Sequence, residues 1–114
     1  MARRIALVCA VLVTIALQSA CQPPPPSGPS DAQFARLARC ESGGNPQAVS
    51  RSGKYHGLYQ FDQRTWNATA RSAGRLELVG VAPSRASAAD QTALARTLHG
   101  QRGRGPWPVC GRRM

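Results

Sequence analysis

The sequence predicts a small, mainly α domain with a short loop or irregular hairpin between its first two helices. Three observations lead there. Apolar residues recur at three- and four-residue spacing in three separate segments, around Phe34, Trp66 and Leu94. Each segment opens on a residue able to cap a helix and closes at glycine. The stretches between them read as loops and connections rather than long strands.

At 114 residues the chain has room for one domain. Its first 20 residues read as an export signal. Arg3 and Arg4 supply the positive start, Ile5 to Leu17 an apolar run, and Gln18, Ser19 and Ala20 a small, polar end. That run is short for a bilayer crossing, so it reads as a cleaved leader rather than a permanent membrane helix. Leu17-Gln18-Ser19-Ala20-Cys21 resembles the lipobox of bacterial lipoproteins, although its leucine stands one step earlier than that motif places it. Two readings stay open: lipidation of Cys21 as a membrane tether, or ordinary secretion after Ala20. Two acyl chains would anchor the protein stably and one only marginally. Residues 21–30 are a Pro-rich linker, a stiff spacer that resists helix and strand alike.

The domain covers residues 31–114. Ser30 or Asp31 caps the first helix, whose Phe34, Leu37 and Ala38 share a face. The same spacing reaches Glu41, which therefore emerges beside the core, where partial desolvation raises a carboxyl pKa. Gly43-Gly44 ends the helix and Asn45-Pro46 prevents its renewal. SRSGKYHGLYQF, residues 50–61, suits a loop or irregular hairpin. A second helix runs from Asp62 or Gln63 to about Ala73, with Trp66 and Ala70 on one side and Gly74 as its stop. In the connection at 75–86, Leu76, Leu78, Val79 and Val81 are expected to pack inward. Ser87 to Asp90 form a capping pattern with Asp in the place more often held by Glu, and the third helix runs to about Gly100 with Ala93, Leu94, Ala95 and Leu98 inside. The tail takes its order from docking Trp107 and Val109 and from a bond at Cys110.

Cys9 leaves with the leader, Cys21 stands at the new terminus, and Cys40 and Cys110 lie within the domain. Two domain cysteines in an exported protein are expected to pair; the alternative, Cys21 bonded to one of them, leaves an odd thiol. Fifteen basic residues against five acidic ones give a net charge of +10, which becomes +8 once Arg3 and Arg4 are removed. Such a charge seeks polyanions. The arginines are scattered and the leader directs the chain out of the cytoplasm, so anionic cell-wall polymers are the expected neighbours and nucleic acid is not. A monomer is the simplest expectation.

Metal binding lacks a ligand pattern, since His56 and His99 are far apart in sequence and no Cys-x-x-Cys or His-x-x-x-His spacing exists. A serine or cysteine hydrolase would need a nucleophile with a base, and no Gly-x-Ser-x-Gly elbow is present. No Gly-rich loop and lysine serve a nucleotide, so no cofactor is expected. Glycosidic cleavage remains, and it asks for a carboxylic acid of raised pKa with aromatic and amide groups to hold sugars. Glu41 with Tyr55, Tyr59, Gln60, Trp66 and Trp107 supplies that set. Asp62 is the only other acid near them in sequence and reads first as a helix cap. Trp107 reads as core rather than stacking platform, and His56 and His99 as bystanders. With one working carboxylate, the second function falls to the sugar's own N-acetyl group or hydroxyl.

FARLARCESGGNP, GKYHGLYQFDQRTW and GRGPWPVCG, in that order, resemble the transglycosylase-like domain of the actinobacterial resuscitation-promoting factors, from about Asp31 to Gly111. The resemblance implies an exported α+β lysozyme-like fold acting on peptidoglycan glycan strands. It implies Glu41 as the catalytic acid, a Cys40–Cys110 disulfide, and substrate contacts at Tyr55, Gln60, Thr65 and Trp66. A lytic transglycosylase would release a 1,6-anhydro end; with water in place of the muramic hydroxyl the enzyme would be a muramidase. A wall-binding lipoprotein without turnover is the rival from another class.

Overall fold

A computed structural model describes residue 23 and residues 27–114; the expected leader, Cys21, Gln22 and linker residues 24–26 lie outside them. The described chain forms α1 (Asp31–Ser42), α2 (Gln63–Ser72) and α3 (Ala88–Arg102), with 3₁₀ turns at Leu76–Leu78, Pro83–Arg85 and Cys110–Arg113. Between α1 and α2 the loop is joined only by isolated antiparallel bridges, Val49 to His56 and His56 to Phe61. The domain is thus small and mainly helical, with no strand among the described residues.

Local chemistry accounts for the helix boundaries. The Ser30 hydroxyl oxygen accepts from the Gln33 backbone N–H at 3.2 Å, and Gln33 Oε1 accepts from the Ser30 N–H at 2.8 Å, a complete capping box. At the other end of α1, Gly43 turns left-handed at φ 67° and its N–H donates to Arg39 O at 3.0 Å. Asp62 caps α2 by accepting from the Thr65 N–H at 2.8 Å. Ser87 caps α3 by accepting from the Asp90 N–H at 3.1 Å. The reciprocal half of that box is not made, because the Asp90 carboxylate accepts from Arg75 Nη2 at 2.7 Å instead.

Four details depart from the sequence expectation. Helix α3 passes through Gly100 and stops at Gly103, so its end lies two residues later. Leu76 is 69% exposed, because the 3₁₀ turn directs only Leu78 onto the core, and Val79 and Val81 are half-buried. Val109 is 70% exposed, since the turn at 107–111 sends Trp107, Cys110 and Gly111 inward at helical spacing and leaves Val109 outside. On α3 the buried neighbour of Leu94 is Gln91, while Ala93 is only half-buried.

The core is built on Phe34, Leu37, Trp66 and Leu94, joined by Tyr59, Phe61, Leu98 and Trp107. Phe61 meets Trp66 edge-on with centroids 5.2 Å apart, and Phe34 meets Tyr59 likewise at 6.0 Å. Cys40 and Cys110 are bonded, with Cα atoms 5.6 Å apart across 70 residues of sequence. That bond holds the tail against the last turn of α1.

Gln91 organises the loop that precedes α2. Its Oε1 accepts from the Leu58 N–H at 2.7 Å, and its Nε2 donates to Pro46 O at 3.0 Å and Ala86 O at 2.9 Å. Gly57, at φ 81°, lies so close that an added Cβ would run into the Gln91 carboxamide. Replacing Gln91 with leucine strands the buried Leu58 N–H and removes the bonds to the half-buried Pro46 and Ala86 carbonyls, so an expected loss of about 3 kcal/mol follows, read as a lower urea midpoint with an unchanged slope.

Candidate active site

Glu41 stands in the last turn of α1, on the face that Phe34, Leu37 and Ala38 turn to the core. The disulfide begins at the residue before it, and the tail it retains folds over the carboxylate. The result is a depression of about 340 Å³ walled by Glu41, Tyr55, Gln60 and residues 106–110. Burial pushes the Glu41 pKa above its ordinary 4.5. The carbonyl end of α1 acts in the same direction, since a helix C-terminus disfavours negative charge. The outcome is a half-buried carboxyl group of raised pKa opening into a furrow.

Gln60 reaches this furrow through an unusual backbone. At φ 52° it is the only non-glycine residue with positive φ among the described residues. Its N–H and its Nε2 both donate to Gly57 O, at 3.2 and 3.0 Å, which holds the tight turn closed. Tyr55, 39% exposed, lines the same furrow, and the Lys54 ammonium lies 5.3 Å from its ring centroid. A second depression, of about 350 Å³, continues past Gln60 and shares Tyr55, Pro106, Trp107 and Pro108 with the first; Asp62, Thr65 and Arg102 line it. The two make one trough with Glu41 at one end.

Residues 28–110 match the family described as the transglycosylase-like domain. The chain belongs to that family. It is 40% identical over 85 residues to resuscitation-promoting factor RpfA of Mycobacterium tuberculosis, covering 73% of this chain and 19% of that protein. To resuscitation-promoting factor Rpf1 of Corynebacterium glutamicum it is 43% identical over 88 residues, 76% of this chain and 42% of that one. To probable transglycosylase SceD 3 of Staphylococcus saprophyticus it is 41% identical over 71 residues, 62% of this chain and 28% of that one. This transglycosylase-like domain therefore spans well under half the length of these relatives.

The structure brings Glu41, Tyr55, Gln60 and Thr65 to the trough and keeps Trp66 away from it. Trp66 is 0% exposed, and its indole N–H donates to Leu78 O at 2.9 Å. The expected sugar contact by Trp66 is therefore corrected: on α2 it faces the core with Thr69 and Ala70, one residue round from Thr65. Trp66→Phe should cost about 1–2 kcal/mol for the lost indole hydrogen bond and buried area, the Leu78 carbonyl keeping its bond from the Val81 N–H, read by thermal unfolding, and leave the activity of the folded fraction unchanged. Tyr59 is also buried, its hydroxyl 2.8 Å from Thr92 Oγ1 and its carbonyl accepting from Trp107 Nε1 at 3.0 Å. Trp107 is core, as expected, yet one side of it walls the trough.

Asp62 is a cap. Burial tends to raise its pKa, but hydrogen bonds from the Thr65 N–H and hydroxyl, at 2.8 and 2.9 Å, and the charge of Lys54 outweigh this and leave it lowered. His56 Nε2 lies 2.9 Å from Gly53 O and its Nδ1 3.0 Å from Ser84 Oγ, bonds that tie the loop together away from the trough. Sequence reasoning missed Pro106 and Pro108 as groove walls and Arg102 as a lining residue. A signal existed for the prolines, in a rigid Pro-Trp-Pro run beside a cysteine.

Proposed function

We propose that this domain cleaves the glycosidic bond between N-acetylmuramic acid and N-acetylglucosamine in peptidoglycan as a lytic transglycosylase. Glu41 in its protonated form, which its raised pKa favours, gives its proton to the glycosidic oxygen as the bond to the muramic C1 breaks. The resulting carboxylate then removes the proton of the muramic 6-hydroxyl, whose oxygen closes on C1. One chain end leaves with the restored hydroxyl, the other as a 1,6-anhydro sugar, and Glu41 regains its proton. Tyr55, Gln60 and Thr65 hold the strand along the trough.

The observation that carries this reading is a single half-buried acid of raised pKa at the end of a trough open to a polymer. The state of Asp62 favours the anhydro product over hydrolysis: each of its oxygens accepts from Thr65 and its pKa is lowered, so it is a weak base for activating water. Membership of the transglycosylase-like family and relatives named transglycosylase support the same class. Mass spectrometry of fragments released from purified wall tests it. The anhydro fragment is lighter by one water, and hydrated ends alone would make the enzyme a muramidase. Binding to wall without any release would make it the lectin-like rival.

Export belongs to the same reading. Residues 1–20 act as a leader, 21–30 as a spacer, and 31–114 as the catalytic unit, with the basic surface drawn to anionic wall polymers. The mass of the mature N-terminus distinguishes lipidated Cys21 from plain cleavage after Ala20.

A further inference from the structure

The chain has five acidic side chains, and four of them are committed within the fold. Asp31 pairs with Arg96, Glu77 and Asp90 both pair with Arg75, and Asp62 accepts from Thr65. The fifth, Glu41, is the acid of the site. Glu41 and Asp62 are the carboxylates on the trough, and among the described residues neither forms an ion pair with the cations that line it.

Arg102 is the most prominent of these. It lies in the last turn of α3 and belongs to the walls of two depressions at once, the one that continues from Gln60 and a third of about 200 Å³ beyond it. Thr65 and Leu98 are the other shared walls, so the trough runs on from Glu41 past Arg102. Arg64 lines the far depression, and both arginines are exposed and without an ion pair among the described residues. Asp62 faces the same space, but its oxygens point to Thr65. A guanidinium open to solvent beside a polymer groove offers a planar fork of donors that fits a carboxylate.

We propose that Arg102, aided by Arg64, is a specificity-determining residue that takes a carboxylate of the peptide stems borne by the glycan strand. This rests on the peptidoglycan reading above and extends it to the part of the substrate that is not cleaved. Carboxylates ride on the strand itself, so they pass along the trough in register with the sugars; phosphates belong to separate polymers and do not. Arg102 sets which strands lie stably in the trough, and Glu41 acts on whatever is held there.

The test is binding, so that it does not depend on turnover. Full-length Glu41→Gln protein is titrated calorimetrically with three soluble ligands: a muramic disaccharide with a free-acid peptide stem, the same ligand with its stem carboxylates amidated, and the peptide-free disaccharide keeping only its lactyl carboxylate. The free-acid stem should bind about fivefold more tightly than the amidated one, the upper range for a solvent-exposed ion pair. Arg102→Gln should reduce that ratio to near one, and Arg102→Lys should retain part of it. Arg64→Gln, with a smaller expected loss, serves if Arg102→Gln fails to fold. A cation that only complements the α3 dipole would alter the melting temperature and leave the ratio untouched. Equal binding of free and amidated stems, or a ratio unmoved by both arginine substitutions, overturns the assignment. So does preference for the peptide-free ligand, which would move the recognised anion to the sugar's own lactyl group. If wild type releases nothing from wall while the ratio behaves as expected, the cleavage reading fails and the recognition stands.

Discussion

Glu41→Gln is expected to lower release of soluble fragments from purified wall by about 10²- to 10⁴-fold, the usual contribution of a positioned proton donor. Glutamine keeps the size and the hydrogen-bonding shape of the side chain, so binding to insoluble wall should survive. The same substitution should stabilise the fold at neutral pH. The folded pKa of Glu41 lies above 4.5, so the folded state holds its proton more tightly than the unfolded chain does. Stability from this group is complete below the ordinary value and is lost as pH rises through the folded value. Glutamine carries no such cost, and its advantage in melting temperature should appear at pH 7 and vanish below about pH 4. Wild-type activity should fall along one limb with a midpoint above 4.5, where the resting proton is lost. Unchanged fragment release by a folded Glu41→Gln protein would remove Glu41 from the chemistry.

Breaking the Cys40–Cys110 bond is the second large effect. A closure spanning 70 residues contributes about 4 kcal/mol in the chain-entropy model, much of what a domain this small has. The double change Cys40→Ala with Cys110→Ala should therefore lower the urea midpoint severely. The bond also retains the tail that covers Glu41, with Trp107 bonded to Tyr59 O and the Arg113 carbonyl accepting from Arg36 Nε at 3.2 Å. Released, the tail would let water reach the carboxyl and bring its pKa back toward 4.5. Activity measured in reductant, at a temperature where circular dichroism still reports a folded protein, should show its descending limb moved to lower pH. A limb that stays in place while the thiols are free would separate the disulfide from the tuning of Glu41.

These two effects show how local and distant contributions meet at one carboxyl group. Glu41 reaches the core face because its spacing from Phe34, Leu37 and Ala38 follows a helical turn. The depression around it, in contrast, is walled by Tyr55, Gln60 and a tail that lies far along the chain. The same division separates Thr65 from Trp66. Both were candidates for sugar contact, and one residue of helical rotation assigns one to the trough and the other to the core. Nothing local distinguishes them, since a tryptophan in a short helix serves either role.

Gln60 and Gln91 mark the same boundary from the polar side. A positive φ at Gln60 is unusual for an L-residue and cannot be inferred from Tyr-Gln-Phe. The spacing of α3 does not single out Gln91, and its burial follows from backbone groups of Pro46, Leu58 and Ala86 converging on it from separate loops.

The sequence by itself determined the three helices with their caps, the glycine stops, and the acid on the apolar face of the first. Those features depend on residues within a turn or two of each other, where spacing and capping chemistry are readable. Only the tertiary structure decided which tryptophan walls the trough, which arginine lines it, and how far Glu41 is removed from water. Those depend on contacts such as Trp107 with Tyr59, 48 residues apart, and a one-dimensional pattern does not encode which distant surfaces close on one another.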